Sequence, residues 1–201
     1  MRSGTRSIAD WQICLTECTD MTTAELFKDI QLLVLDVDGV MTDGRAYQDS
    51  AGLWRRTFSV RDSIGIRALM RAGIAVAVFA ENESPEVRAH VQSLGVLDFF
   101  ENCANKTAVI QELLKKFQLV DTQIAFVSEN SNDENLFRCL ACGVTVDGAD
   151  SALQLAAHFV TSHRGGDGAV LEVCNLIMQG SGRLRGSERV KSKPGAGGPL
   201  L

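Results

Sequence analysis

Several features are scarce in this chain of 201 residues, and each shortage excludes something. The longest unbroken apolar run, Ile74 to Ala80, falls far short of the ~20 residues that a membrane helix needs. Near the N-terminus Arg2 and Arg6 are soon followed by Asp10, Glu17 and Asp20, so no apolar leader core forms and a cytoplasmic location is expected. Positive charge is also short. The net charge is −5, yet from Gly180 onward five Lys and Arg face only Glu188, which leaves −9 on residues 1–179. That balance argues against a nucleic-acid surface on the folded part, and the basic end reads as a solvated tail. Six cysteines are present, and Cys139 and Cys142 have metal-type spacing. No second pair and no nearby histidine completes four ligands, so small buried thiols are the expectation. No internal repeat is visible.

What remains is an ordinary globular composition, 45% hydrophobic and 22% charged, at a length suited to one domain. Residues 1–20 show no period and read as an N-terminal extension. Residues 21–179 alternate apolar strands with amphipathic helices, and residues 180–201, rich in Gly, Ser, Pro, Lys and Arg, read as a disordered basic tail. Thr22 and Glu25 have capping-box spacing for a short helix ending near Ile30. Leu32–Asp36 is a continuous apolar strand of the kind buried on both faces. Arg45 to Val60, with aromatics around Ser-Ala-Gly, reads as a β-hairpin. A helix through Ile64–Met70 stops at Gly73, and a strand follows over Ile74–Phe79. A helix begins at Pro85 after Ser84 and ends at Gly95. Further on are a helix over Lys106–Phe117, a strand at Ile124–Val127, a helix near Asp133–Cys142, a strand at Val144–Val146 and a helix over Ala169–Met178. The pattern predicts an α/β fold with a parallel sheet and right-handed crossovers.

The chemistry concentrates in "LLVLDVDGVMTDG", Leu32 to Gly44. Ligands of open α/β sheets sit at the carboxyl ends of the strands, where Asp36 closes its strand and Asp38 follows. Two carboxylates there can divide labour between nucleophile and proton carrier. Their mutual repulsion is relieved by Mg²⁺ when the substrate is a phosphate. The plainer alternative is a strand-end Asp followed by an Asp-Gly turn.

"DVDGVMTDG" resembles the first motif of the haloacid dehalogenase superfamily, Asp-x-Asp. "FSVRDSIGIRALMRAGI" and "RGGDGAVLEVCNLI" resemble segments of one branch, the 3-deoxy-D-manno-octulosonate 8-phosphate phosphatases and relatives acting on nine-carbon sugar acid phosphates. The resemblance runs from about Leu32 to Met178. It implies a capless Rossmann-like three-layer fold with a β-hairpin insertion, Mg²⁺ dependence and a phosphorylated sugar acid as substrate. It also implies a homotetramer whose hairpins pack together, each completing a neighbour's site. On this resemblance Asp36 is the nucleophile, Asp38 is the proton donor whose carbonyl helps hold Mg²⁺, and Lys106 steadies the phosphate charge. A solvated first-turn lysine is the alternative for Lys106, and its position is unfavourable for the helix dipole. Arg61 and Asp62 match a segment near the substrate, or form a local salt bridge. Ala80 and Glu81 occupy the substrate-binding second motif, and Asp36, Asp38, Glu129 and Asp133 the metal site. Asp133 also suits a helix first turn.

The chain departs from that pattern at several points. The second motif ends in Thr or Ser, usually followed by Gly-Arg, but here reads Ala80, Glu81, Asn82. A lost hydroxyl contact costs roughly 1–3 kcal/mol when its partner is left unpaired, and an added carboxylate repels phosphate. The fourth motif, Gly-Asp-Asp-x-x-Asp, reads Ser128, Glu129, Asn130 and then Asp133, and Asp167 replaces a basic residue. Glu81, Glu83, Glu129 and Asp133 therefore make an acidic pocket. Two readings stand: a Mg²⁺-dependent phosphatase working through an aspartyl-phosphate, or a catalytically impaired homologue acting as a binding or regulatory oligomer.

Overall fold

The structure, a computed structural model, describes residues 21–183. The N-terminal extension and most of the basic tail, with Cys14 and Cys18, lie outside that range. Thr22 caps a four-residue helix, α1 (Thr23–Leu26), through the expected capping box with Glu25. The chain then enters β1 (Leu32–Asp36), whose five residues are all buried. A hairpin of two short strands, β2 (Tyr47–Gln48) and β3 (Trp54–Arg55), stands apart from the main sheet. After α2 (Val60–Arg71) come β4 (Ala75–Phe79), α3 (Pro85–Leu94), β5 (Asp98–Phe100) and α4 (Lys106–Phe117). The second half runs β6 (Ile124–Val127), α5 (Glu134–Cys139), β7 (Cys142–Thr145), α6 (Ser151–Ala156), β8 (Phe159–Val160) and α7 (Ala169–Gly180).

Six strands form one parallel sheet in the order β5-β4-β1-β6-β7-β8. From β1 the chain moves outward through β4 and β5, then returns to β6 on the other side. Right-handed crossovers place the helices of these two excursions on opposite faces. Accordingly α1, α2 and α7 pack together on one face, while α5 and α6 pack together on the other. The core between them is apolar, built from Leu32–Leu35, Val76–Phe79 and Ile124–Val127 of the central strands. No separate cap domain is inserted among the described residues. This is the expected three-layer α/β architecture with its hairpin. The point where strand order reverses, beside the end of β1, opens a crevice.

Several boundaries differ from expectation: the first helix ends at Leu26, short of Ile30, α2 already starts at Val60, and the strand expected at Val144–Val146 runs over Cys142–Thr145. The helix expected to reach Cys142 stops at Cys139, and Cys142 opens β7 as a buried residue. Strands β5 and β8 and helix α6 carry no period of their own in the sequence, because each is only two to six residues long. The last helix continues to Gly180, and the chain folds back so that the Arg183 N–H donates to the Met178 carbonyl at 2.9 Å. Burial pushes the Cys142 thiol up to about 12, as suits an inert core thiol. Among the described residues no helix is long and apolar enough to cross a membrane.

Candidate active site

Asp36 ends β1, and its carboxylate is almost wholly buried. The first residue of α4, Lys106, reaches in from the crossover between β5 and β6 and donates to Asp36 Oδ2 at 2.6 Å and to Asp133 Oδ2 at 2.7 Å. Its burial excludes a solvated first-turn lysine: the side chain turns into the protein, away from solvent. Burial alone would push the Lys106 ammonium down, but the two carboxylates hold it above its ordinary value. Burial pushes the Asp36 carboxyl up to about 6, against the pull of Lys106 and the Ser128 hydroxyl.

Ser128 closes this group. Its Oγ lies 2.8 Å from Asp36 Oδ2 and 2.6 Å from Asp133 Oδ2, and it accepts the Asn130 N–H at 3.0 Å. A hydroxyl has one proton to give, so only one of the two carboxylates receives it at a time. Sequence reasoning passed over Ser128 as a departure from a glycine. The signal available was a hydroxyl at the end of a strand adjacent to β1.

After Asp36 the backbone coils through Val37–Met41, a loose turn that Asp38 and Gly39 leave in non-helical conformations. Gly39 has φ of +73°, and a Cβ there would lie 1.5 Å from the Glu129 Oε2. The positive φ favours glycine here, and the Glu129 carboxylate is folded into the space a Cβ would take. Gly165 packs from the far side, where a Cβ would stand 1.8 Å from the Gly39 carbonyl oxygen.

A cleft of about 330 Å³ opens here, lined by Asp36, Asp38, Gly39, Glu81, Glu129, Asn130 and Asp150 among others. Among the described residues its lining carries five carboxylates and no Lys or Arg. The Asp38 side chain is exposed and held by Arg56, which donates through Nε at 2.6 Å and through Nη2 at 3.2 Å. Arg56, from the hairpin side, also reaches Glu86 at 3.2 Å. The Asn130 side-chain amide donates to Glu81, tying the ends of β6 and β4 across the cleft. Burial pushes the Glu129 carboxyl up.

Not every expected residue reaches the cleft. Asp133 is buried behind it, with Oδ2 committed to Lys106 and Ser128, so of the four expected metal ligands it alone is absent from the lining. Ala80 is a buried end of β4, stitched by its N–H to the Phe100 carbonyl, and offers no polar side chain. Arg61 is exposed on the first turn of α2. Asp62 is buried and accepts the N–H groups of Gly168 at 3.2 Å and Leu171 at 2.8 Å. Neither lines the cleft: Asp62 serves the start of α7 and makes no salt bridge with Arg61.

Among the described residues no three histidine, cysteine or acidic side chains stand close enough to hold a metal by themselves. Magnesium does not require three. It keeps several waters and is held by one or two carboxylates together with substrate phosphate. Asp36, Asp38 and Glu129 border one cleft as residues with hard oxygen donors, and Gly39 leaves the space that Glu129 occupies. The donor set fits such an ion.

Residues 72–173 match the haloacid dehalogenase-like hydrolase family. The 3-deoxy-D-manno-octulosonate 8-phosphate phosphatase of Yersinia pestis is 34% identical over 159 residues, covering 79% of this chain and 85% of that protein. A crystal structure of the Yersinia pestis phosphatase superposes with a TM-score of 0.78 at 33% identity, over 82% of this chain and 89% of that one. The phosphatase of Moraxella catarrhalis, crystallised with magnesium, phosphate and KDO, superposes at 0.76 with 27% identity, over 80% of this chain and 92% of that one. Sheet order, the two aspartates that follow one another at the end of β1, and these likenesses agree, and the chain belongs to the haloacid dehalogenase-like hydrolases.

Proposed function

We propose that this chain is a phosphomonoesterase for a phosphorylated sugar acid resembling 3-deoxy-D-manno-octulosonate 8-phosphate. The observation that carries the reading is the Lys106–Asp36 ion pair of 2.6 Å at the switch point of the sheet, with Asp38 two residues on. The free oxygen of Asp36 attacks phosphorus, the bond to the sugar oxygen breaks, and Asp38 gives that oxygen its proton. Asp38 then takes a proton from the water that attacks the aspartyl-phosphate, which frees phosphate and restores Asp36. To do either, Asp38 must release at least one oxygen from Arg56. Lys106 keeps one positive charge beside Asp36 throughout. Asp36, Glu129 and the Asp38 carbonyl would hold Mg²⁺, which would supply the positive charge that a phosphate dianion needs in so acidic a cleft.

Among the described residues the lining has no cation for the sugar carboxylate. That deficit supports a homotetramer in which a neighbour's hairpin contributes to the site. The acidic lining, with Ala80 lacking a hydroxyl, also favours a second reading: a binding oligomer with little hydrolysis.

Phosphate release from a panel of phosphorylated sugars and sugar acids, with Mg²⁺ or Mn²⁺, separates the two. The expected result is one good sugar acid substrate and no release by Asp36→Asn. Uniform failure across the panel would overturn the phosphatase reading in favour of the binding oligomer.

A further inference from the structure

The family's second motif places a hydroxyl at the end of β4, where this chain has Ala80. A hydroxyl stands instead at the end of β6, the strand on the opposite side of β1. Ser128 is fully buried there. Its carbonyl accepts the Thr145 hydroxyl at 2.8 Å, and its Oγ accepts the Asn130 N–H, so the strand end is fastened on both sides. From that fixed point Oγ meets Asp36 Oδ2 and Asp133 Oδ2, the same two oxygens that Lys106 Nζ meets. Lys106, Asp36, Ser128 and Asp133 thus close a four-membered ring of polar contacts behind the cleft.

The ring has a geometric consequence. The terminal torsion of an aspartate is broad, so one contact leaves its carboxylate plane free to turn. An ammonium is a compact charge with rotatable donors and fixes a distance better than a plane. A second partner on Oδ2, arriving from another strand, removes that freedom and keeps the other oxygen toward the cleft.

We propose that Ser128 is a positioning residue for hydrolysis, holding Asp36 Oδ2 together with Lys106 so that the remaining oxygen of Asp36 is aimed at phosphorus. This inference rests on the phosphatase reading of the same site.

The test compares Ser128→Ala, Ser128→Gly (the residue of the family pattern) and Ser128→Thr with the wild type. Steady-state kinetics on the best phosphomonoester, melting temperature and a crystal structure are measured for each. Deleting the hydroxyl should lower kcat by roughly 100-fold, the scale of a misplaced reacting group, with KM within about twofold. Ser128→Thr should recover most of the rate. In the crystal structure of either deletion the Asp36 carboxylate should be turned from its wild-type plane or split between two. Wild-type kcat in a folded deletion variant, an equal loss in Ser128→Thr, or an unmoved Asp36 would each overturn the proposal. Should the wild type release phosphate from no ester, the phosphatase reading falls. The crystal structures then decide the positioning alone: a turned Asp36 supports it, an unmoved one overturns it.

Discussion

Lys106 sets one positive charge between two buried carboxylates, and its removal has an energetic cost separate from its chemical one. Lys106→Met leaves Asp36 and Asp133 facing the same buried space with only the Ser128 hydroxyl between them. Breaking a buried pair by deleting one partner typically costs about 3–5 kcal/mol, because a charge is left uncompensated. Urea unfolding of Lys106→Met should show that loss, and Lys106→Met/Asp133→Asn should regain a good part of it while staying inactive. A single variant as stable as the wild type would mean the cluster is not held by this charge. At this scale the sequence was partly legible. Asp36 and Lys106 carry types and positions that a strand end and a helix start make meaningful. Asp133 was found as well, but its placement behind the cleft follows from the partners it meets, which spacing does not reveal. Ser128 and Arg56 were not legible as site residues, since a strand-end serine and a hairpin arginine are common on any surface.

Among the elements, the join between α2 and α7 does most to hold the cleft loop. Asp62 reaches from the first turn of α2 to the N–H groups that open α7, and burial pushes its carboxyl up even though those N–H groups pull it down. Just before α7, Gly165 and Gly166 lie against the backbone of Gly39, Thr42 and Asp43 so closely that neither leaves room for a Cβ. Asp62 thus supports the loop after β1 at one remove. Asp62→Ala should lower stability by about 1–3 kcal/mol, the cost of leaving buried donors unpaired, with KM for the substrate unchanged. A raised KM at wild-type stability would return Asp62 to the substrate. The central strands and the helices of ten residues or more were readable because burial on two faces or one stripe leaves a period. Strand β5 (three residues) and strand β8 (two residues) are too short to show one. The segment around Cys139–Cys142 misled because its apolar residues suit a helix and a buried strand equally well, and only the pairing of Cys142 with Ala125 of β6 decides.

The whole molecule leaves an apolar surface on the side of the hairpin. Trp54 is 63% exposed and Val60 75%, with Tyr47, Leu53 and Ile64 also more than half exposed, all within eighteen residues of chain. Two paired strands of two residues each, outside the main sheet, are marginal without something to pack against. Clustered exposed apolar residues of this kind mark an interaction surface, and a closed symmetric oligomer is the common way for such a surface to be covered by its own copies. The cleft supplies a second reason, since five carboxylates line it and the cations for an anionic sugar must come from elsewhere. Assembly and activity are therefore expected to fail together. Sedimentation should give a tetramer for the wild type and a smaller species for Trp54→Ser/Ile64→Ser, with kcat/KM falling at least tenfold on the order expected when part of a binding surface is lost. Neither residue lines the cleft, so in a self-sufficient protomer the two substitutions would leave turnover intact. A wild type that sediments as an active monomer would place every substrate contact within one chain, and the acidic lining would then have to be balanced by the metal alone.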